Sequence, residues 1–170
     1  ILLFLIGYGL FSVKEMETLS QLSLDVYQHP MTTGQAVRDA NLGILKMHRA
    51  MLQVPASDDA RLEQLERTVS QNEALVRERL AVLRSSFLGS KELLDALERE
   101  FNAWAPIRAQ VIRLRHEGKT AESLRTTQVL GAAQVLRVED RMQVVTDFAT
   151  NKAAEFMGDM RQTEDRVRLF

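Results

Sequence analysis

Cysteine is absent from the chain, so neither a disulfide framework nor a thiolate metal site exists in it. Proline and glycine are scarce, with 3 and 8 copies in 170 residues, which leaves too little turn chemistry for a many-stranded sandwich or barrel. Charge of one sign is also missing. Twenty-two Lys and Arg stand against 23 Asp and Glu, a formal net charge of -1, so no positive field is available to displace counterions from a nucleic acid. The sequence contains no metalloprotease helix motif, phosphate-binding glycine loop or nucleophile elbow. Its three histidines lack zinc-ligand spacing. Catalysis, a bound metal and a cofactor are therefore not expected.

What is present is the vocabulary of helices: Leu, Ala, Arg, Glu, Gln and Val dominate. Three punctuation points divide the chain into four helical stretches. The first runs over residues 14–54, interrupted near His29-Pro30, with Thr32 or Thr33 available to cap the restart. Ser57 or Asp58 is the expected N-cap of a second helix over 58–87. Ser90 is expected to cap a third over 90–117, kinked at Pro106, and Gly118 to supply the left-handed residue that ends it. Thr120 is the expected cap of a fourth helix over 120–168.

Apolar residues repeat at alternating four- and three-residue spacings in every stretch. The predicted seams are Val37, Asn41, Ile44, His48 and Met51 in the first helix and Leu62, Leu65, Val69, Val76, Leu80, Leu83 and Phe87 in the second. The third offers Leu93, Leu97, Phe101, Trp104, Ile107, Val111 and Leu114. The fourth offers Leu124, Gln128, Gly131, Val135, Val138, Met142, Val145 and Ala149. Short connections make neighbours antiparallel, so the expected fold class is an all-α, up-down-up-down four-helix bundle. At 1.5 Å per residue the first and fourth helices would span about 75–80 Å and the middle pair about 40–45 Å, so the long pair would extend as a two-helix stalk.

The stalk points to a membrane. Residues 1–13 carry no charge and are mostly apolar, and they read as the outer part of a transmembrane helix. Arg166 and Arg168 precede Leu169 and Phe170, where a second span would begin. Residues 14–168 would then form a domain lying between two membrane crossings.

Two features of the helices suggest partners. A second stripe on the first helix, Ala36, Ala40, Gly43, Met47 and Ala50, is small enough to admit a close neighbour. That neighbour is either a helix of the same bundle or a second copy of the chain in a homodimer. Polar residues also fall at matching depths. Asn41, Asn72 and Trp104 share one layer with Arg38 just below, while His48, Arg108 and Gln128 share another with Arg49 beside it. Such groups either satisfy one another and fix the helix register or line a pocket for a small anion, for instance a carboxylate. A copper reading through His29, Met31, Met47, His48 and Met51 is weak, because methionine at seam spacing is core filler. Lower on the fourth helix Lys152 occupies a seam position, where the core is expected to open toward solvent or toward a first-helix carboxylate such as Glu15 or Glu17.

The phrases Tyr27-Gln28-His29-Pro30, Met47-His48-Arg49, Phe87-Leu88-Gly89 and Trp104-Ala105-Pro106-Ile107-Arg108, set in this four-helix order, carry a resemblance. The chain resembles the periplasmic four-helix-bundle sensor domain of bacterial methyl-accepting chemotaxis proteins, and of related histidine kinases and diguanylate cyclases. The resemblance implies a receptor head that binds a small molecule or a periplasmic binding protein and transmits a helix displacement. Aspartate-type members hold their ligand with first-helix arginines at i, i+5 and i+9. Here Arg38 is followed at those offsets by Gly43 and Met47, and Arg49 by Val54 and Asp58, so that scheme does not carry over. A membrane-anchored scaffold without a small ligand is the alternative function.

Overall fold

The computed structural model describes residues 31–168. Helix α1 covers residues 31–53 and ends in a 3-10 turn, Val54–Ala56. Helices α2 (Asp59–Ser86) and α3 (Lys91–His116) follow. The fourth rod is composite: α4 (Thr120–Thr126), a π-helical turn (Thr127–Gly131) and α5 (Ala132–Arg168) run on without a break. No strand occurs among the described residues, so the fold is the expected all-α four-helix bundle. The readings placed on residues 1–30 and 169–170, including both membrane segments, His29, Glu15 and Glu17, lie outside the described residues. Among the described residues no helix is long and apolar enough to cross a membrane.

Contacts between helices run in opposite order along each neighbouring pair. Thr33, near the first described residue of α1, donates to the carbonyl of Ser86 at the end of α2 (3.0 Å), and Arg84 near the end of α2 pairs with Asp95 near the start of α3 (2.7 Å). Gln134 of α5 reaches back to the Glu100 carbonyl of α3 (2.8 Å), and His48 of α1 faces Glu139 of α5 (3.8 Å). The bundle thus has an upper end, bearing the α1–α2 and α3–α4 turns, and a lower end, where residues 87–90 connect α2 to α3. Arg115 ties the two upper turns together by donating to the Ser57 carbonyl (2.9 Å). Phe87 packs on Phe148 of α5 at the lower end, with ring centroids 4.9 Å apart.

The caps divide between expectation and correction. The Asp58 carboxylate accepts from the Arg61 amide at 2.7 Å and caps α2, while Ser57 donates to Val54 instead. Gly118 has φ 72, the left-handed conformation that ends α3. Ser90 stands at the N-cap position, but its hydroxyl goes to the Glu92 carboxylate rather than to a backbone amide. Lys119, not Thr120, precedes α4, and it makes no side-chain cap. Thr33 lies inside α1, where its hydroxyl clamps α1 to Ser86 of α2. Pro106 is accommodated within α3, which continues unbroken around it.

The α2 seam is buried as predicted, apart from Phe87, which sits half-buried in the connection. On α3 the buried set is Leu94, Leu97, Phe101, Trp104, Arg108, Val111 and Leu114, so Leu94 and Arg108 take the places expected for Leu93 and Ile107. On the fourth rod Gly131, Val135, Val138, Met142 and Val145 are buried, but above them Ser123 and Thr127 replace Leu124 and Gln128. The π turn causes that substitution. It inserts one residue into a turn of the helix, which rotates everything N-terminal to it by about 100° relative to an unbroken α-helix.

Candidate functional site

The centre of the bundle holds a charge. Arg108 is 3% exposed, one turn above Trp104 on α3. Its guanidinium carbon lies 4.6 Å from the Trp104 ring centroid and 5.5 Å from that of Phe101. Nη2 donates to Glu73 of α2 at 2.7 Å. Glu73 also accepts from Arg77 one turn away (2.7 Å), and Arg77 in turn donates to Asn102 of α3 (2.9 Å). The i,i+4 pair Glu73–Arg77 is therefore one side of a two-arginine clamp on a single carboxylate. Nη1 of Arg108 is buried and has no hydrogen-bond partner among the described residues.

Electrostatics follow from that geometry. Burial pushes the Glu73 carboxyl up, but the hydrogen bonds and charges of Arg77 and Arg108 outweigh it and hold the group below the ordinary carboxylate range. Burial pulls Arg108 down against the opposing pull of Glu73, yet a guanidinium titrates so far above neutrality that it stays charged. An isolated buried cation would be prohibitive; the carboxylate and two aromatic faces are what make this one tolerable.

A second polar group on the same rods is fully used. Gln134 of α5 donates to both the carbonyl and the carboxylate of Glu100, and its oxygen accepts from Arg137 at 2.8 Å. Glu63 and Arg67 make a surface i,i+4 pair at 3.5 Å.

The small-residue stripe of α1 faces inward. Ala36, Ala40, Met47 and Ala50 are buried at 3% exposure or less, and Gly43 is buried as well. A Cβ added at Gly43 would stand 2.6 Å from a methyl of Val76 on α2. These five residues, expected at a dimer interface, are consumed by α2 and the chain's own core, because small side chains are what let α1 and α2 approach this closely. They offer no surface to a second copy.

The outer face of α1 is different. Arg38, Leu42, Leu45, Arg49 and Leu52 follow one another at four- and three-residue spacings, and all are exposed. The three leucines are 51%, 41% and 50% exposed. His48 and half-buried Asn41 lie on the side of this face turned toward α5, where Leu136 is 65% exposed. Buried packing residues and a solvent-facing leucine stripe thus occupy the same helix.

The predicted polar layers are not single clusters. Asn72 donates to Thr68 of its own helix (2.7 Å), Trp104 is core, and Arg38 is on the outer face. In the second layer Arg108 is core, His48 meets Glu139, Arg49 is outside, and Gln128 is exposed in the π turn. The register at Ile107–Arg108 and the π turn separate residues that rise per residue alone had placed together. Lys152 is held on its own helix by Glu155 (2.6 Å), over the ring of Phe156 at 5.6 Å. Sequence reasoning missed Glu73 as the partner of Arg108, although its i,i+4 link to Arg77 was visible. It also missed Ser123 and Thr127, for which no local signal exists.

A family model described as a four helix bundle sensory module for signal transduction matches residues 1–163. The chain belongs to that family. Comparison with curated proteins and with solved structures gave no match. In this sensory module no grouping of histidines and carboxylates suited to a metal ion occurs among the described residues. The two α1 faces divide its work: the inner one holds the bundle together, and the outer one is left for something else.

Proposed function

We propose that this sensory module is the extracytoplasmic head of a transmembrane receptor in the bacterial inner membrane, of the chemotaxis, histidine-kinase or diguanylate-cyclase kind. It works as a homodimer joined along the outer stripe of α1, binds a small anion at that seam, and passes a displacement of α1 against α5 toward the membrane. The observation that carries this reading is the exposed heptad of Leu42, Leu45 and Leu52 punctuated by Arg38 and Arg49. Leucines at coiled-coil spacing favour a second helix. Two copies meeting there would bring four arginines to one seam, and guanidinium forks suit carboxylates. Ligand occupancy shifts signalling only if the two arrangements of the helices differ in affinity for it.

The test has two arms on the whole chain in mild detergent. Sedimentation should show a dimer that Leu45→Glu dissociates while helical content stays the same. A thermal-shift screen of small carboxylates should find a ligand that raises the melting temperature, and Arg49→Ala should abolish that rise. A monomer at all concentrations, or a ligand effect indifferent to Arg38 and Arg49, refutes the reading.

A further inference from the structure

The upper part of the fourth rod carries two seams in one sequence. Leu124, Gln128, Gly131 and Val135 form an unbroken heptad, the pattern of a plain α-helix. The structure instead buries Ser123, Thr127, Gly131 and Val135, which needs one residue more between 123 and 131. The π turn supplies it: the Ala132 amide donates to the Thr127 carbonyl, five residues back. Leu124 is left exposed in consequence, while two hydroxyls occupy the core.

We propose that this π turn is one state of a two-state register switch. In the other state the turn tightens to an α-helix, and each residue of α4 moves one place toward the α3–α4 turn. That is a rotation of about 100° and a rise of about 1.5 Å. Leu124 and Gln128 then take the core positions of Ser123 and Thr127.

The balance between the states is close on the contacts present. The observed register keeps the bond from the Ser123 hydroxyl to the Val111 carbonyl of α3 (3.0 Å) and the Thr127 bond to the Ser123 carbonyl (2.9 Å). The alternative gives up the first of these and buries the Gln128 amide. In exchange it covers Leu124 and restores the more favourable α-helical ladder. The start of α4 has no side-chain cap and is tied to the end of α3 by the Lys119 amide on the Leu114 carbonyl (2.9 Å) and the Lys119–Glu117 pair (2.7 Å), which a register shift must loosen, while Gly118 beside it gives the turn room to take up one more residue.

Such a switch has consequences below it, because α4 continues directly into the 37-residue α5. A contact on the exposed face of α4 that prefers one register changes how the top of the rod sits on α3, and bistable helix packing of this kind is a recurrent signalling element. The switch requires neither an anion site nor a dimer.

The chain has no cysteine, so a single Ser123→Cys reporter can be read by maleimide labelling. In the wild-type background the thiol should be protected. Adding Gln128→Leu, which rewards the alternative seam, should raise the labelling rate about tenfold or more as that register becomes the major one. Deleting Val129 removes the extra residue and fixes the observed register as plain α-helix, so labelling should be no faster than wild type. Leu124→Ser removes the reward for switching and should slow any residual labelling. An unchanged rate with Gln128→Leu at native helical content, faster labelling on deletion of Val129, or indifference to Leu124→Ser each overturns the proposal.

Discussion

Gly43→Ala is the sharpest probe of how α1 meets α2. An exposed or merely accommodating helical glycine gains stability on conversion to alanine, by about 1 kcal/mol from helix propensity. At Gly43 the new methyl would stand 2.6 Å from Cγ2 of Val76, a residue with 0% exposure whose branched side chain has one favoured rotamer in a helix. Relief requires the two backbones to part, and the Asn72 carbonyl at 3.5 Å lies against the same spot. Overpacking of this kind costs about 1–3 kcal/mol, which exceeds the propensity gain, so a net loss of up to about 2 kcal/mol is expected. For a chain of this size each kcal/mol lowers the melting temperature by about 2–4 °C. The decisive arm is a second background. Val76→Ala removes the obstructing methyl and destabilises the protein by itself, but Gly43→Ala added to it should then stabilise, by up to about 1 kcal/mol. Urea unfolding followed by circular dichroism of the four proteins gives the cycle. Stabilisation by Gly43→Ala in the wild-type background, or the same effect in both backgrounds, would refute the claim that contact with Val76 selects glycine.

The Arg108 clamp yields two more predictions. Arg108→Ala should cost about 3–5 kcal/mol in chemical denaturation, whereas Arg108→Met, which also loses the Glu73 pair but refills the space over Trp104, should cost much less; equal losses would contradict a role founded on packing. Glu73 titrates lower in the folded than in the unfolded chain, so its stabilisation is present above the ordinary carboxylate value and is lost as pH falls through and below that value. Glu73→Gln should flatten that part of the stability–pH curve, and a curve of unchanged slope would show that the clamp does not govern it.

Residues 62–83 show what the sequence determines unaided. Leu62, Leu65, Val69, Val76, Leu80 and Leu83 are buried at the positions their spacing required, because a 28-residue amphipathic helix has one way to cover such a stripe. The Asp58 cap and the left-handed Gly118 are equally local, set by a side chain or a backbone angle acting on its own neighbours. Four helices with short connections left antiparallel order as the consequence. Matters of one residue were not local. Whether Ile107 or Arg108 enters the α3 seam depends on Glu73 and Trp104 standing ready to receive a guanidinium, and Glu73 is on another helix. Whether Leu124 or Ser123 faces α3 depends on a π turn for which an unbroken heptad gives no hint. The small stripe of α1 announced a close neighbour, but only tertiary packing chose α2 over a second chain, and it left Leu42, Leu45 and Leu52 outside. Periodicity states that a face will be covered. The partner that covers it is decided by the competition among all the faces the chain brings together.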